Sequence, residues 1–98
     1  LRAIATRGDG LSQERIGKAP LTVGWRQGGE TCRLPGRAHH HKLKKLLQEA
    51  GVPPWVRRRL PLVYANGELA AIGDRWVCEP YAARADEAAW KLRFELVN

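Results

Sequence analysis

Methionine is absent from this sequence, serine occurs once (Ser12), phenylalanine once (Phe94) and cysteine twice (Cys32 and Cys78). Each scarcity excludes something. With a single serine, placed in a glycine-bearing stretch, no serine–histidine–acid set suggests itself, and the GxxxxGK, GxGxxG and HExxH patterns are all missing. No apolar run approaches the roughly 18 residues of a membrane-crossing helix, and no signal segment is expected. Lacking any methionine and opening Leu1-Arg2-Ala3, the chain reads as a piece of a longer protein, so a catalytic region could lie elsewhere. Its 98 residues make one domain with a modest core, burying roughly 60–65% of the unfolded surface.

The two cysteines fit no CxxC spacing, which argues against a metal or thiol redox site. In a cytoplasmic protein both are expected to be free thiols, a disulfide being the alternative. His39-His40-His41 invites a metal reading. Side chains on consecutive helical residues point about 100° apart and cannot converge on one ion, so the run is expected to be a solvated helix start.

What the sequence does have is positive charge in one place. The net charge is +7, and between Arg33 and Arg59 eight lysines and arginines (Arg33, Arg37, Lys42, Lys44, Lys45, Arg57, Arg58, Arg59) face a single acid, Glu49. Everywhere else basic and acidic residues cancel. A face that only confers solubility mixes signs, whereas a cluster of one sign is the footprint of a polyanion, whose condensed counterions are released on binding.

Leu43, Leu46, Leu47 and Ala50 follow the i, i+3, i+4, i+7 spacing of one helical stripe, so a helix is expected from His39 to Ala50, stopped by Gly51 and Pro53. Lys44 and Lys45 fall away from that stripe. Pro53-Pro54 starts a second, short helix ending before Pro61, with Trp55, Val56 and Leu60 expected inward and Arg57–Arg59 held on a stiff element. Leu21–Trp25 and Glu30–Leu34, joined through Gln27-Gly28-Gly29, read as one hairpin. Leu62–Ala65 and Glu68–Ile72, joined by Asn66-Gly67, read as a second. Leu1–Ala5, Arg75–Cys78 and Lys91–Val97 are further strand candidates, Arg7–Pro20 reads as an irregular loop, and Ala82–Ala89 as a short helix or loop. The fold class is α+β: a β-hairpin-rich body with one amphipathic helix and one short one. The glycines of "RQGGE", Arg26–Glu30, could cradle a phosphate, but a turn needing positive φ explains them as well.

Three blocks, "WRQGGETCRLPGR" (Trp25–Arg37), "LKKLLQEAGVPPWVRRRLPLVY" (Leu43–Tyr64) and "GELAAIGDRWV" (Gly67–Val77), together resemble the C-terminal domain of bacterial tRNA(Ile)-lysidine synthetase. The resemblance spans residues 21–77, with 1–20 as an N-terminal extension or loop and 78–98 as a C-terminal strand region, matched by position only. It implies a fold shared with a module of the phenylalanyl-tRNA synthetase β chain, and a parent enzyme that uses ATP and magnesium in a separate N-terminal ATP-pyrophosphatase domain to join lysine to the wobble cytidine of tRNA(Ile). This domain would hold no cofactor and would grip the tRNA acceptor stem. Carried over by position, Arg26, Arg33, Arg37, Lys44, Lys45, Arg57 and Arg59 are the candidate RNA contacts, while Arg58 stands where the pattern is loose. The implied partners are tRNA(Ile) and the N-terminal catalytic domain of the same chain, with no membrane. The competing reading is a protein-interaction or structural domain whose basic face packs on an acidic partner domain; what discriminates is whether the arginines are exposed together or already paired with Glu30, Glu49 and Glu68.

Overall fold

The computed structural model describes residues 2–94. In chain order the elements are β1 (Arg2–Arg7), β2 (Leu11–Ser12), α1 (Gln13–Ile16), β3 (Leu21–Gly24), β4 (Thr31–Cys32), β5 (His41–Lys42), α2 (Leu43–Glu49), α3 (Pro54–Arg57), β6 (Leu62–Ala65), β7 (Glu68–Ile72), β8 (Trp76–Val77) and β9 (Ala88–Arg93). The mixed α+β class expected from the sequence is what the chain adopts, and its sheets are antiparallel throughout.

A four-stranded sheet, β3-β6-β7-β8, forms the middle of the molecule. Its centre is the hairpin β6–β7, closed by Asn66 and Gly67 at φ 51° and 82°, the two positive values a type I′ turn demands. The register shifts after Val63: Val63 faces Ala71 and Tyr64 faces Leu69, leaving Ala70 as the extra residue of a bulge. Side chains alternate across a strand, so Leu62, Tyr64, Leu69 and Ile72 reach one side, and Val63, Ala65, Ala70 and Ala71 the other. Both sides are covered at the β6–β7 hairpin, while Leu21 and Val23 of the edge strand β3 stay exposed.

On the first side, Leu43, Leu46 and Leu47 of α2 pack with Cys32, Val52, Leu60 and Cys78. Gly51, at φ 69°, ends α2 in a Schellman turn: the Val52 amide donates to the Leu47 carbonyl at 3.0 Å and the Gly51 amide to Gln48 at 3.1 Å. That turn swings Val52 back into the core, where it is 2% exposed. On the second side, the sheet β1-β9-β2 brings Leu11 and Leu92, and α1 brings Ile16, against the alanines of β6 and β7. The backbones approach closely here. A side chain on Gly10, whose φ is 112°, would run into the Trp90 carbonyl.

Several expectations are corrected. Residues 21–34 are not a hairpin: β3 pairs with β6, with Val23 opposite Val63, while β4 pairs with β5. The helix begins at Leu43 rather than His39, because Thr31 and Cys32 claim Lys42 and His41 as ladder partners, so the histidines precede the helix instead of starting it. Ala50 is the exposed C-cap of that helix, not part of its buried stripe. The expected loop 7–20 contains β2 and α1, nucleated by Ser12, whose hydroxyl accepts the Arg15 amide at 3.2 Å, and by the burial of Leu11 and Ile16. The final strand runs Ala88–Arg93, earlier than Lys91–Val97, and residues 95–97 lie outside the described residues, as does Leu1. Residues 83–87 form the loop alternative offered for Ala82–Ala89.

The cysteines are not free thiols. Cys32 and Cys78 form a disulfide, their Cα atoms 5.4 Å apart and both residues 1% exposed. No spacing rule links residues 46 apart in sequence. What joins them is backbone bonding after β8, where the Cys78 amide bonds Ala70 at the middle of β7 and the Glu79 amide bonds Arg33 beside β4. Trp55 is also corrected: at 64% exposure it points away from the core in which it was expected.

Candidate nucleic-acid interface

Every element between β3 and β6 lies on the first side of the central sheet, since Cys32, Leu43, Leu46, Leu47, Val52 and Leu60 all belong to that one core. Residues 25–60 carry nine basic residues and two acids, the whole of the net charge of +7. The excess therefore occupies one layer.

Within the layer, Glu30 organises the first cationic turn. Its carboxylate accepts the amides of Gln27 at 2.8 Å and Gly28 at 3.2 Å, and its own carbonyl accepts the Leu43 amide at 2.9 Å, the first of α2. Burial alone would raise the Glu30 carboxyl; the amides of Gln27 and Gly28 and the charge of Arg26 outweigh it and hold the group below its ordinary value. The amides that a phosphate cradle would need at Gln27 and Gly28 are thus already engaged. Arg26 is half-buried beside this turn, and its Nε is buried with no hydrogen-bond partner among the described residues.

Arg33 and Arg37 meet. The Arg33 guanidinium donates to the Arg37 carbonyl at 3.2 Å, and the Arg37 amide closes the turn onto Leu34 at 3.1 Å. Arg37 is exposed and Arg33 half-buried. They lie toward the Glu68 end of β7, in line with Glu79, whereas α3 leads into Leu62 opposite Ile72 at the other end. Next to Arg33, a cleft lined by Thr31, His40, Glu68 and Glu79 opens over the disulfide; two carboxylates make it a poor seat for phosphate.

Lys44 and Lys45 stand exposed on α2. Lys45 reaches Glu49 at 3.9 Å, and with both groups about two-thirds exposed this pair contributes only about 0.3–0.5 kcal/mol, little hindrance to an exchange of partners. Arg57 differs from the expectation of a free contact: half-buried, its Nε donates to the Val52 carbonyl at 2.6 Å, locking α3 to the end of α2. Arg58 and Arg59 follow, both exposed.

Of the acids that could have neutralised the cluster, Glu68 accepts the Tyr81 hydroxyl at 3.2 Å, Glu49 meets Lys45 and Glu30 caps its turn. Sequence reasoning missed two residues here: Glu30 as the organiser, signalled only by an acid three places after Gln27 in a basic stretch, and Trp55 as an exposed ring. Among the described residues no group of three or more histidines, cysteines, aspartates or glutamates could hold a metal ion, and no helix is long and apolar enough to cross a membrane.

Residues 21–94 match the family model described as the TilS substrate C-terminal domain. The chain is similar to the tRNA(Ile)-lysidine synthases of Coxiella burnetii (41% identity, over 76% of this chain and 17% of the relative), Methylococcus capsulatus (39%, over 84% and 19%) and Xanthomonas campestris pv. campestris (57%, over 59% and 13%). It thus spans less than a fifth of the length of these relatives. With a family match that takes in the whole cationic layer and both halves of the central sheet, the chain belongs to the TilS substrate C-terminal domain family.

Proposed function

We propose that this chain is the tRNA-binding domain of a tRNA(Ile)-lysidine synthase, gripping the acceptor stem of tRNA(Ile) while a separate N-terminal domain of the same cytoplasmic enzyme uses ATP and magnesium to join lysine to the wobble cytidine. The observation that carries this reading is the confinement of the net charge to the layer of residues 25–60, on one side of the central sheet. An A-form stem presents ridges of phosphate and 2′-hydroxyl and hides its base edges in a narrow major groove, so shape and charge are what a protein can grip.

The roles divide by how each side chain is held. Arg37, Lys44, Lys45 and Arg59 are exposed and suited to phosphate contact, the lysines as mobile point charges and the arginines as two-pronged donors. Arg57 serves chiefly to fix α3, and Arg26 and Arg33 are half-buried, which suits them less to open phosphate contact. The names of the relatives support tRNA over DNA as the polyanion.

The test uses the longer enzyme in which this domain resides. Lys44→Ala combined with Arg59→Ala, leaving Arg57 in place, lowers kcat/KM for tRNA about tenfold or more while the affinity for ATP is unchanged. Equal losses in both would point to a folding or catalytic role and contradict the proposal.

A further inference from the structure

Trp55 is the second residue of α3 and is 64% exposed, although Val56, the next along, packs against the helix-side core and Leu60 is 1% exposed. Leaving an indole in water forgoes one of the largest burial gains available to a side chain. The backbone that carries the ring is nonetheless held firmly. Pro53 and Pro54 fix the backbone before it, with Pro53 at φ −68°, and the Arg57–Val52 bond fixes it after. Directly behind it come Arg57, Arg58 and Arg59, in the layer that carries the net charge.

An exposed aromatic ring on a stiff backbone, followed at once by three arginines, has a specific chemical complement: a nucleotide whose base is unpaired, the base stacking on the ring and its phosphate meeting the arginines. Paired bases inside a stem offer no such face. We infer that Trp55 is a stacking platform for an unpaired nucleotide that continues from the end of the bound RNA stem. This rests on the RNA-binding reading above. Trp25 provides an internal comparison: it is 56% exposed but continues the exposed apolar alternation Leu21, Val23 along β3, and one arginine, Arg26, follows it where Arg57, Arg58 and Arg59 follow Trp55.

The experiment compares binding of the 98-residue chain to an RNA hairpin with a blunt end and to the same hairpin with a short unpaired 3′ extension. The chain binds the extended hairpin more tightly, by about fivefold or more. Trp55→Ala removes that preference and keeps the blunt-end affinity and the thermal midpoint; Trp55→Phe, which retains a π-face, keeps most of the preference; Trp25→Ala leaves it intact. Absence of any preference in the unaltered chain, persistence of the preference in Trp55→Ala, as expected if the ring contacts another protein domain, or an equal loss from Trp25→Ala would each overturn the assignment. Failure to bind either hairpin would overturn the RNA reading itself, a different result from binding both equally.

Discussion

The two sides of the central sheet are built from different materials. The helix side packs leucines, ties them with a disulfide and carries all of the net charge; the strand side packs alanines against strands drawn close at Gly10, and its cations are balanced by an equal number of acids. There Arg15 meets the carboxylate of Glu79 at 3.7 Å and Lys91 that of Asp9 at 2.7 Å. On the helix side, Lys44 and Arg37 extend into solvent, and the bonds made by Arg33 and Arg57 go to backbone carbonyls, which leave the positive charge uncancelled. One side closes the fold; the other presents a charged surface.

If the two sides share one cooperative unit, damage to either should be felt by both. Leu47→Ala on the helix side and Leu11→Ala on the strand side, each replacing a residue 0% exposed, both cost about 2–5 kcal/mol by denaturant unfolding and both leave a single transition. Two separated transitions would break the comparison by showing two independent bodies. Opening the disulfide, by Cys32→Ala with Cys78→Ala, removes the crosslink that constrains the unfolded chain over 46 residues and lowers stability by about 2–4 kcal/mol, while the β1–β9 amides keep their relative order of hydrogen-exchange protection. Gly51→Ala forces a Cβ into the left-handed region and costs about 1 kcal/mol, read as a lowered thermal midpoint.

A smaller effect separates the two sides by pH. Glu30 on the helix side and Glu87 on the strand side are both held below their ordinary value of 4.5, Glu30 by amides that outweigh its burial and Glu87 first by the Arg84 amide. A carboxyl depressed in the folded state stabilises it at pH values above the ordinary value, and the contribution is lost as pH falls through the depressed one. Glu30→Gln therefore shallows the loss of stability below about pH 4.5, and because its carboxylate closes the turn beside Arg26 it also weakens RNA binding at neutral pH; Glu87→Gln does only the first.

The local features were legible in the sequence. Asn66-Gly67 marked its hairpin, and the leucine stripe with Gly51 marked α2 and its end, because both signals lie within a few residues of what they specify. The pairings of β3 with β6 and β1 with β9 join residues far apart and depend on what else is nearby, so a strand that reads well by itself finds an unforeseen neighbour; β4 then turns to the nearby β5, whose two residues His41 and Lys42 carry no strand signal of their own. The same reason hid the disulfide. At the candidate site the confinement of charge could be read directly, whereas the carbonyl-bound state of Arg57 and the outward ring of Trp55 depend on the angle at which α3 leaves Pro53.

The central claim is that the helix-side cations engage a polyanion and the strand-side cations do not. The direct measurement is the salt dependence of RNA-stem binding by the 98-residue chain and by two sets of variants. A logarithmic slope of about −3 or steeper is expected, reduced by about one for each of Lys44→Ala and Lys45→Ala and unchanged by Arg2→Ala with Arg93→Ala, cross-strand neighbours on the other side. A slope near zero, or equal reductions from both sets, would contradict the account.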